Sequence, residues 1–249
     1  MALLGKLIGG FVGFQFAGPI GAILGAVLGH NVFDKEHKSV VGSSIPTPNQ
    51  HKQLIYFTAV FSCMAKMAKA DGVVDKREIE AIENFMVQNL RLDQRTRQFA
   101  ISIFDKAKDD DVDVSRYLDQ LAKCVNYDHE LCLSFVYILH KIAMADGRLH
   151  PAEAVILRKA EGVFRLRPGT VDALIGEGVD DLKKCYELLE CSPEMTDAQI
   201  KTAYRKKCKE NHPDHLASKG LPEEFIKLAN EKMAKINEAY DKIVKNRKS

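Results

Sequence analysis

The stretch CYELLECSPEMTDAQIKTAYRKKCKENHPDHL, residues 185–216, decides how the C-terminal third of the chain folds. Thr196 is a natural N-cap, and Gln199 completes a capping box at the third helical position. Behind it Ile200, Ala203, Tyr204 and Cys208 recur at helical spacing and share one face. Lys201, Arg205 and Lys209 occupy another face, with Lys206 beside them, and the basic pattern stops at His212-Pro213-Asp214. Further on, Phe225, Ala229, Met233, Ile236, Tyr240 and Ile243 draw the apolar stripe of a later helix. Two such helices pack antiparallel, and their connection, bearing HPD, stands at one end. A proline turn alone is commonplace. The flanks make this one specific: a basic helix before it and an apolar helix ending in INEAY after it.

A chain of 249 residues suffices for one large domain, or for two small ones and an appendage. The chain is 46% hydrophobic and 28% charged, an ordinary globular composition, and its net charge of +2 is too mild to imply nucleic acid. Its six cysteines form no C-x-x-C pair and no zinc spacing, so they read as small buried thiols of a reducing compartment. No Ser/His/Asp grouping, phosphate loop or H-E-x-x-H motif advertises an enzyme.

Residues 7–33, LIGGFVGFQFAGPIGAILGAVLGHNVF, contain no Asp, Glu, Lys or Arg. As a helix this run extends roughly 40 Å, against a hydrocarbon core of about 30 Å. Residues 1–33 are therefore expected to hold an N-terminal transmembrane span. Gly9, Gly13, Ala17, Gly21, Gly25 and Gly29 place a small residue at every fourth position, one smooth seam for helix association in lipid. The half with Gly21, Gly25 and Gly29 is the expected homodimer contact, with Leu24 and Leu28 facing the acyl chains. A cleaved signal peptide and a soluble glycine-rich hairpin are the rival readings. Lysine counting (Lys35, Lys38 and Lys52 against Lys6) leans towards a cytoplasmic C-terminal side.

Residues 34–48 read as a polar linker, and residues 49–178 as a helical domain with helices near 50–69, 76–90, 94–107, 115–126, 129–145 and 152–164. The whole chain reads as all-α. AKADGVVDKREIE (68–80) and AMADGRLHPAEAV (143–155) align without a gap, an internal repeat of helix, tight turn and helix. Gly72 and Gly147 suit left-handed helix stops, Asp75 with Glu78 fits a capping box, and Pro151 fits a first helical turn. Asp71 and Asp146 oppose the dipole of the helices they end. With Glu78 and Glu153 they are candidate ligands of a divalent metal, although no EF-hand loop is present. The acidic run KDDDVDV (108–114) reads as a solvated loop leading into a helix.

These segments carry resemblances. The paired ADG turns resemble the tellurite-resistance TerB family, an all-α fold in which such acidic turns are suspected metal ligands. YELL..SP..T...IK.AYRK, HPD and INEAY resemble the J domain of the DnaJ co-chaperone family, within an expected domain of residues 182–249. That resemblance implies a partner of the DnaK class, whose ATP hydrolysis is stimulated, and no active site or required cofactor in the chain itself. His212, Pro213 and Asp214 would be the acting tip. Lys201, Arg205, Lys206 and Lys209 would be the basic face that docks. Two residues depart from the pattern: Lys207 stands where Leu is usual, so its head is expected to snorkel, and Glu190 stands where Gly is frequent. The Gly/Phe-rich linker and cysteine modules of general DnaJ proteins are absent. The full arrangement, with the insertion LASKGLP after the tip, resembles the DjlA family of membrane-anchored co-chaperones from Gram-negative bacteria. It implies a single-pass inner-membrane protein with a periplasmic N-terminus, a cytoplasmic bulk and dimerisation through the span. The alternative is a metal- or stress-sensing module acting through the TerB-like domain.

Overall fold

The computed structural model describes residues 18–33, 47–70, 80, 82–175 and 181–248, and among the described residues every regular element is helical. Helix α1 spans Pro19–Phe33, α2 Pro48–Lys69, α3 Gln94–Asp109, α4 Val114–Cys124, α5 His129–Ala143 and α6 Pro151–Val163. They are followed by α7 (Thr170–Ile175), α8 (Asp181–Leu188), α9 (Asp197–Glu210), α10 (Pro213–Lys219) and α11 (Ile226–Lys248). The predicted helix 76–90 lies partly outside the described residues, and its end is a π-helical turn at Phe85–Asn89. Short helix α7 has no counterpart in the sequence reading; the Glu161 carboxylate fixes its start by accepting from the backbone N–H groups of Gly169 and Val171.

Helix α2 is apolar nearly all round, and a helix of that kind belongs inside. Fifteen of its residues are buried, from Gln53 to Ala68, and α3, α4, α5 and α6 pack around it. Tyr56 meets Phe135 edge-on at 5.3 Å, Phe57 stacks on Phe99 at 6.0 Å, and the Tyr56 hydroxyl donates to the Leu131 carbonyl. The acidic run is tied down more firmly than a solvated loop would be. Asp110 accepts from Lys66, from the Tyr117 hydroxyl and from the Val112 N–H, while Asp113 caps α4 by accepting from Ser115.

Helix α1 lies on this domain. Ile20, Ile23, Leu24 and Val27 fall at i, i+3, i+4 and i+7, so one face carries all four, and each is at most 4% exposed against the core. The expectation that Leu24 faces lipid is therefore corrected: its face is the one that meets α3. Pro19 opens the helix, with the Ile20 N–H donating to Gln120 Oε1 at 2.9 Å. Gly18 needs to be glycine there, since φ is +100° and a Cβ would come within 2.7 Å of that oxygen. Among the described residues no helix is long and apolar enough to cross a membrane. Residues 1–17, with Gly9, Gly13 and Ala17, lie outside the described residues.

A second, smaller core joins α8, α9 and the C-terminal half of α11 through Tyr186, Leu189, Ile200, Ile236, Ala239 and Ile243. The other half of α11 belongs elsewhere. Its Leu228 and Ala229 are buried in the larger core, together with Leu216 of α10 and with Leu221 and Phe225 of the connection, where Phe225 lies 6.0 Å from both Tyr56 and Phe57. One helix thus serves two cores.

Candidate functional site: an exposed tip on a basic helix

Helix α9 starts as the capping box predicts: the Gln199 N–H donates to Thr196 Oγ1, and the Thr196 N–H donates to Gln199 Oε1 at 2.8 Å. Its antiparallel partner α11 is held at the middle of the pairing and at one end. Tyr204 stacks on Tyr240 at 4.1 Å and donates its hydroxyl to Asn237, while Arg247 reaches Asp197 at 2.7 Å and the Pro193 carbonyl. This pairing turns Lys201, Arg205, Lys206 and Lys209 to solvent as one basic surface. Asn211 ends α9, its side chain donating to the Lys207 carbonyl.

The HPD stretch is more ordered than the turn expected of it. His212 is the N-cap of α10, its Nδ1 accepting from the Asp214 N–H at 3.3 Å, and Pro213 occupies the first helical position. A proline there loses no hydrogen bond and arrives with φ already helical. His212 is 54% exposed and Asp214 93% exposed, so an imidazole and a carboxylate, 3.8 Å apart, project together at the end of the basic face.

The segment beyond the tip anchors it. Lys219 pairs with Asp128 at 2.8 Å and with Glu130 at the start of α5. Asn49 donates to the Ala217 carbonyl and Gln53 to the Leu221 carbonyl. Gly220 closes α10 at φ +120°, where a Cβ would stand 3.0 Å from Lys52 Cβ, so both conformation and space call for glycine. The LASKGLP insertion is thus a clasp between the tip and the central domain. Sequence pattern alone does not reveal it, because its partners lie 89 and 168 residues away.

Along nearly its full length the chain is similar to curated co-chaperones. It is 31% identical to the co-chaperone protein DjlA of Photobacterium profundum over 98% of each chain, and 31% identical to that of Coxiella burnetii over 99% of each. The chain belongs to the DjlA co-chaperone family. Three family models match in the order the sequence implied: the DjlA transmembrane domain at residues 1–46, tellurite resistance protein TerB at 57–174 and the DnaJ domain at 184–249. No solved structure matches the chain significantly. As a DjlA-family protein it is a DnaJ-like co-chaperone, with a J domain formed by α8 to α11.

The two departures from the J-domain pattern prove to be partners. Lys207 does not snorkel; its side chain is 3% exposed, and its Nζ lies 2.6 Å from Glu190 and 3.4 Å from Glu210. Glu190 adopts φ +52°, which explains why glycine is frequent there, and its carboxylate also contacts His129 Nε2 at 3.1 Å. The hydrogen bond to His129, followed by the pairing with Lys207, outweighs burial and holds the Glu190 carboxyl down at about 2. His129 begins α5, so Glu190 ties the J domain to the central domain.

The four metal candidates are not brought together by anything described. Asp71 and Glu78 lie outside the described residues, as does the side chain of Asp146. Glu153 accepts from the His150 N–H at 2.9 Å, a capping contact at the start of α6. Gly147 stops its helix at φ +94°, as its repeat position implies. Among the described residues no group of three or more His, Cys, Asp or Glu side chains is placed to hold a metal ion. Of the dimerisation candidates, Gly21 and Gly25 lie away from the buried face of α1, and a Cβ at Gly25 would meet nothing within 4 Å. The side-chain position of Gly29 lies outside the described residues.

Proposed function

We propose that this co-chaperone stimulates ATP hydrolysis by a DnaK-class chaperone and recruits it to the bacterial inner membrane. The observation that carries the proposal is the joint exposure of His212 and Asp214 at the end of a solvent-facing basic helix, on a tip clasped to the rest of the protein. Lys201, Arg205, Lys206 and Lys209 steer the complex onto an acidic patch of the partner. His212, Pro213 and Asp214 then bind one state of the partner better than another, which shifts its population towards hydrolysis. The chain acts as a regulator rather than an enzyme. A periplasmic N-terminus puts the J domain in the cytoplasm with ATP, and two copies pair through the small-residue face at Gly21, Gly25 and Gly29, which at Gly21 and Gly25 is turned away from the central domain.

Flotation tests recruitment. With ATP present, DnaK should float with liposomes carrying the full chain, and should stay behind when Lys201 and Arg205 are both changed to Glu. Equal recovery with the parent and with the charge-reversed chain would remove the basic face from the interaction. Recovery should also fall as salt is raised through the range in which the Debye length shortens to about 8 Å and below.

A further inference from the structure

Between the two cores lies a cavity of about 350 Å³, walled by Leu133 and Tyr137 of α5, Leu174 of α7, Leu188 of α8 and Lys232 of α11. Its volume is that of a small-molecule site. Two residues of its wall carry a buried donor with no partner among the described residues. Lys232 is 3% exposed and Tyr137 2%, yet neither Lys232 Nζ nor the Tyr137 hydroxyl has a hydrogen-bond partner among the described residues. The carboxylates that influence Lys232 are already engaged. Glu190 pairs with Lys207 and His129, Glu210 with Lys206 and Lys207, and Glu130 with Lys219. Lys232 is therefore a surplus cation in an apolar setting, where its ammonium is pushed down to about 7 by burial and then by Lys207.

The rim repeats the sign. Lys184, Lys235 and Arg167 line the cavity without an ion pair among the described residues. Two of the lining acids are neutralised, Glu238 by Lys242 and Glu190 by Lys207, and Glu187 lies 4.0 Å from Lys183. Unpaired donors are rare inside proteins because water is not there to replace the missing partner. Here both missing partners are acceptors, and the missing charge is negative.

We propose that this cavity binds a small amphipathic anion, with a phosphate or carboxylate head at Lys232 and an apolar body against Leu133, Leu174 and Leu188. Because its walls come from both domains, the ligand fastens the J domain to the central domain. The site does not depend on what the tip does. A lipid headgroup and a soluble metabolite share the required chemistry.

The test uses the full chain in phosphatidylcholine nanodiscs, titrated by calorimetry with phenyl phosphate, inorganic phosphate and benzyl alcohol. Phenyl phosphate should bind at least tenfold more tightly than either of the others, since only it supplies both head and body. Lys232→Met should fold, with a melting temperature no lower than the parent's because an uncompensated buried charge is gone, and should bind phenyl phosphate at least tenfold more weakly. Repeating the titration in phosphatidylglycerol nanodiscs separates the sources. Suppressed phenyl phosphate binding identifies a lipid headgroup as occupant, and unchanged binding identifies a soluble ligand. No heat with millimolar phenyl phosphate, equal affinity in Lys232→Met, or equal affinity for benzyl alcohol would overturn the site.

Discussion

The Glu190–Lys207 pair makes a prediction that can be worked through in numbers. Changing Glu190 to Gly alone leaves Lys207, 3% exposed, with only Glu210 at 3.4 Å. Breaking a buried pair from one side costs about 3–5 kcal/mol. Relief of the left-handed backbone at φ +52° returns about 1 kcal/mol, so a net loss of roughly 2–4 kcal/mol is expected. The carboxyl itself gives a similar figure: held at about 2 against an ordinary 4.5, it corresponds to about 3 kcal/mol, shared between His129 and Lys207. Lys207→Leu alone strands a carboxylate that still has His129, and should cost about 1–2 kcal/mol. The double variant Glu190→Gly/Lys207→Leu replaces the pair with an apolar contact and a relaxed turn, and should fall within about 1 kcal/mol of the parent. The chain has no tryptophan, so fluorescence is a poor probe. Amide hydrogen exchange of peptides covering residues 197–210 reads the local stability of α9 directly. Single losses that simply add in the double variant, within about 0.5 kcal/mol, would refute the pairing.

Three further groups carry consequences of their own. Glu224 is 8% exposed with no partner among the described residues, and burial raises its carboxyl to about 7. A raised carboxyl contributes stability that is complete below its unfolded value and is lost as pH rises through 7, so Glu224→Gln should stabilise the protein at pH 8.5 by up to about 3 kcal/mol and hardly at pH 4. The same thermal shift at both pH values would contradict this burial. Gly220→Val is expected to loosen the clasp, because a side chain meets Lys52 at a backbone angle it disfavours. Faster proteolysis between residues 211 and 222 should report it, and parental resistance would argue that the clasp is incidental. If Asp71, Glu78, Asp146 and Glu153 hold a divalent cation, calcium, magnesium, manganese or zinc should raise the melting temperature in the parent and not in Asp71→Asn/Asp146→Asn. No shift with any of them would leave Glu153 its capping role alone.

The parts of this fold legible in the sequence were local. Thr196 with Gln199, Pro151 at a helix start, Gly147 at a helix stop and the stripe of α11 each announce themselves within a few residues, since caps and periodicity act over one or two turns. The hidden parts were paired at long range. Lys207 and Glu190 each look like an isolated departure, and only the packing of α8 against the rest brings them to 2.6 Å. Leu24 carries no mark distinguishing a lipid-facing leucine from one that lies on α3, because both faces are equally apolar in composition. Phe225 sits in the J-domain stripe at the right spacing, and nothing in that spacing says that its neighbours are Tyr56 and Phe57 of another domain.

Single-turnover ATP hydrolysis by DnaK reads the action of the tip. DnaK preloaded with ATP is mixed with the full chain in nanodiscs, either parent or His212→Gln. His212 is half exposed and contributes to neither apolar core, so the substitution should leave the fold unchanged in hydrogen exchange of α9 and α11. The parent should accelerate hydrolysis, and His212→Gln should return it to the rate of DnaK alone. Acceleration by a correctly folded His212→Gln chain equal to that of the parent would contradict it.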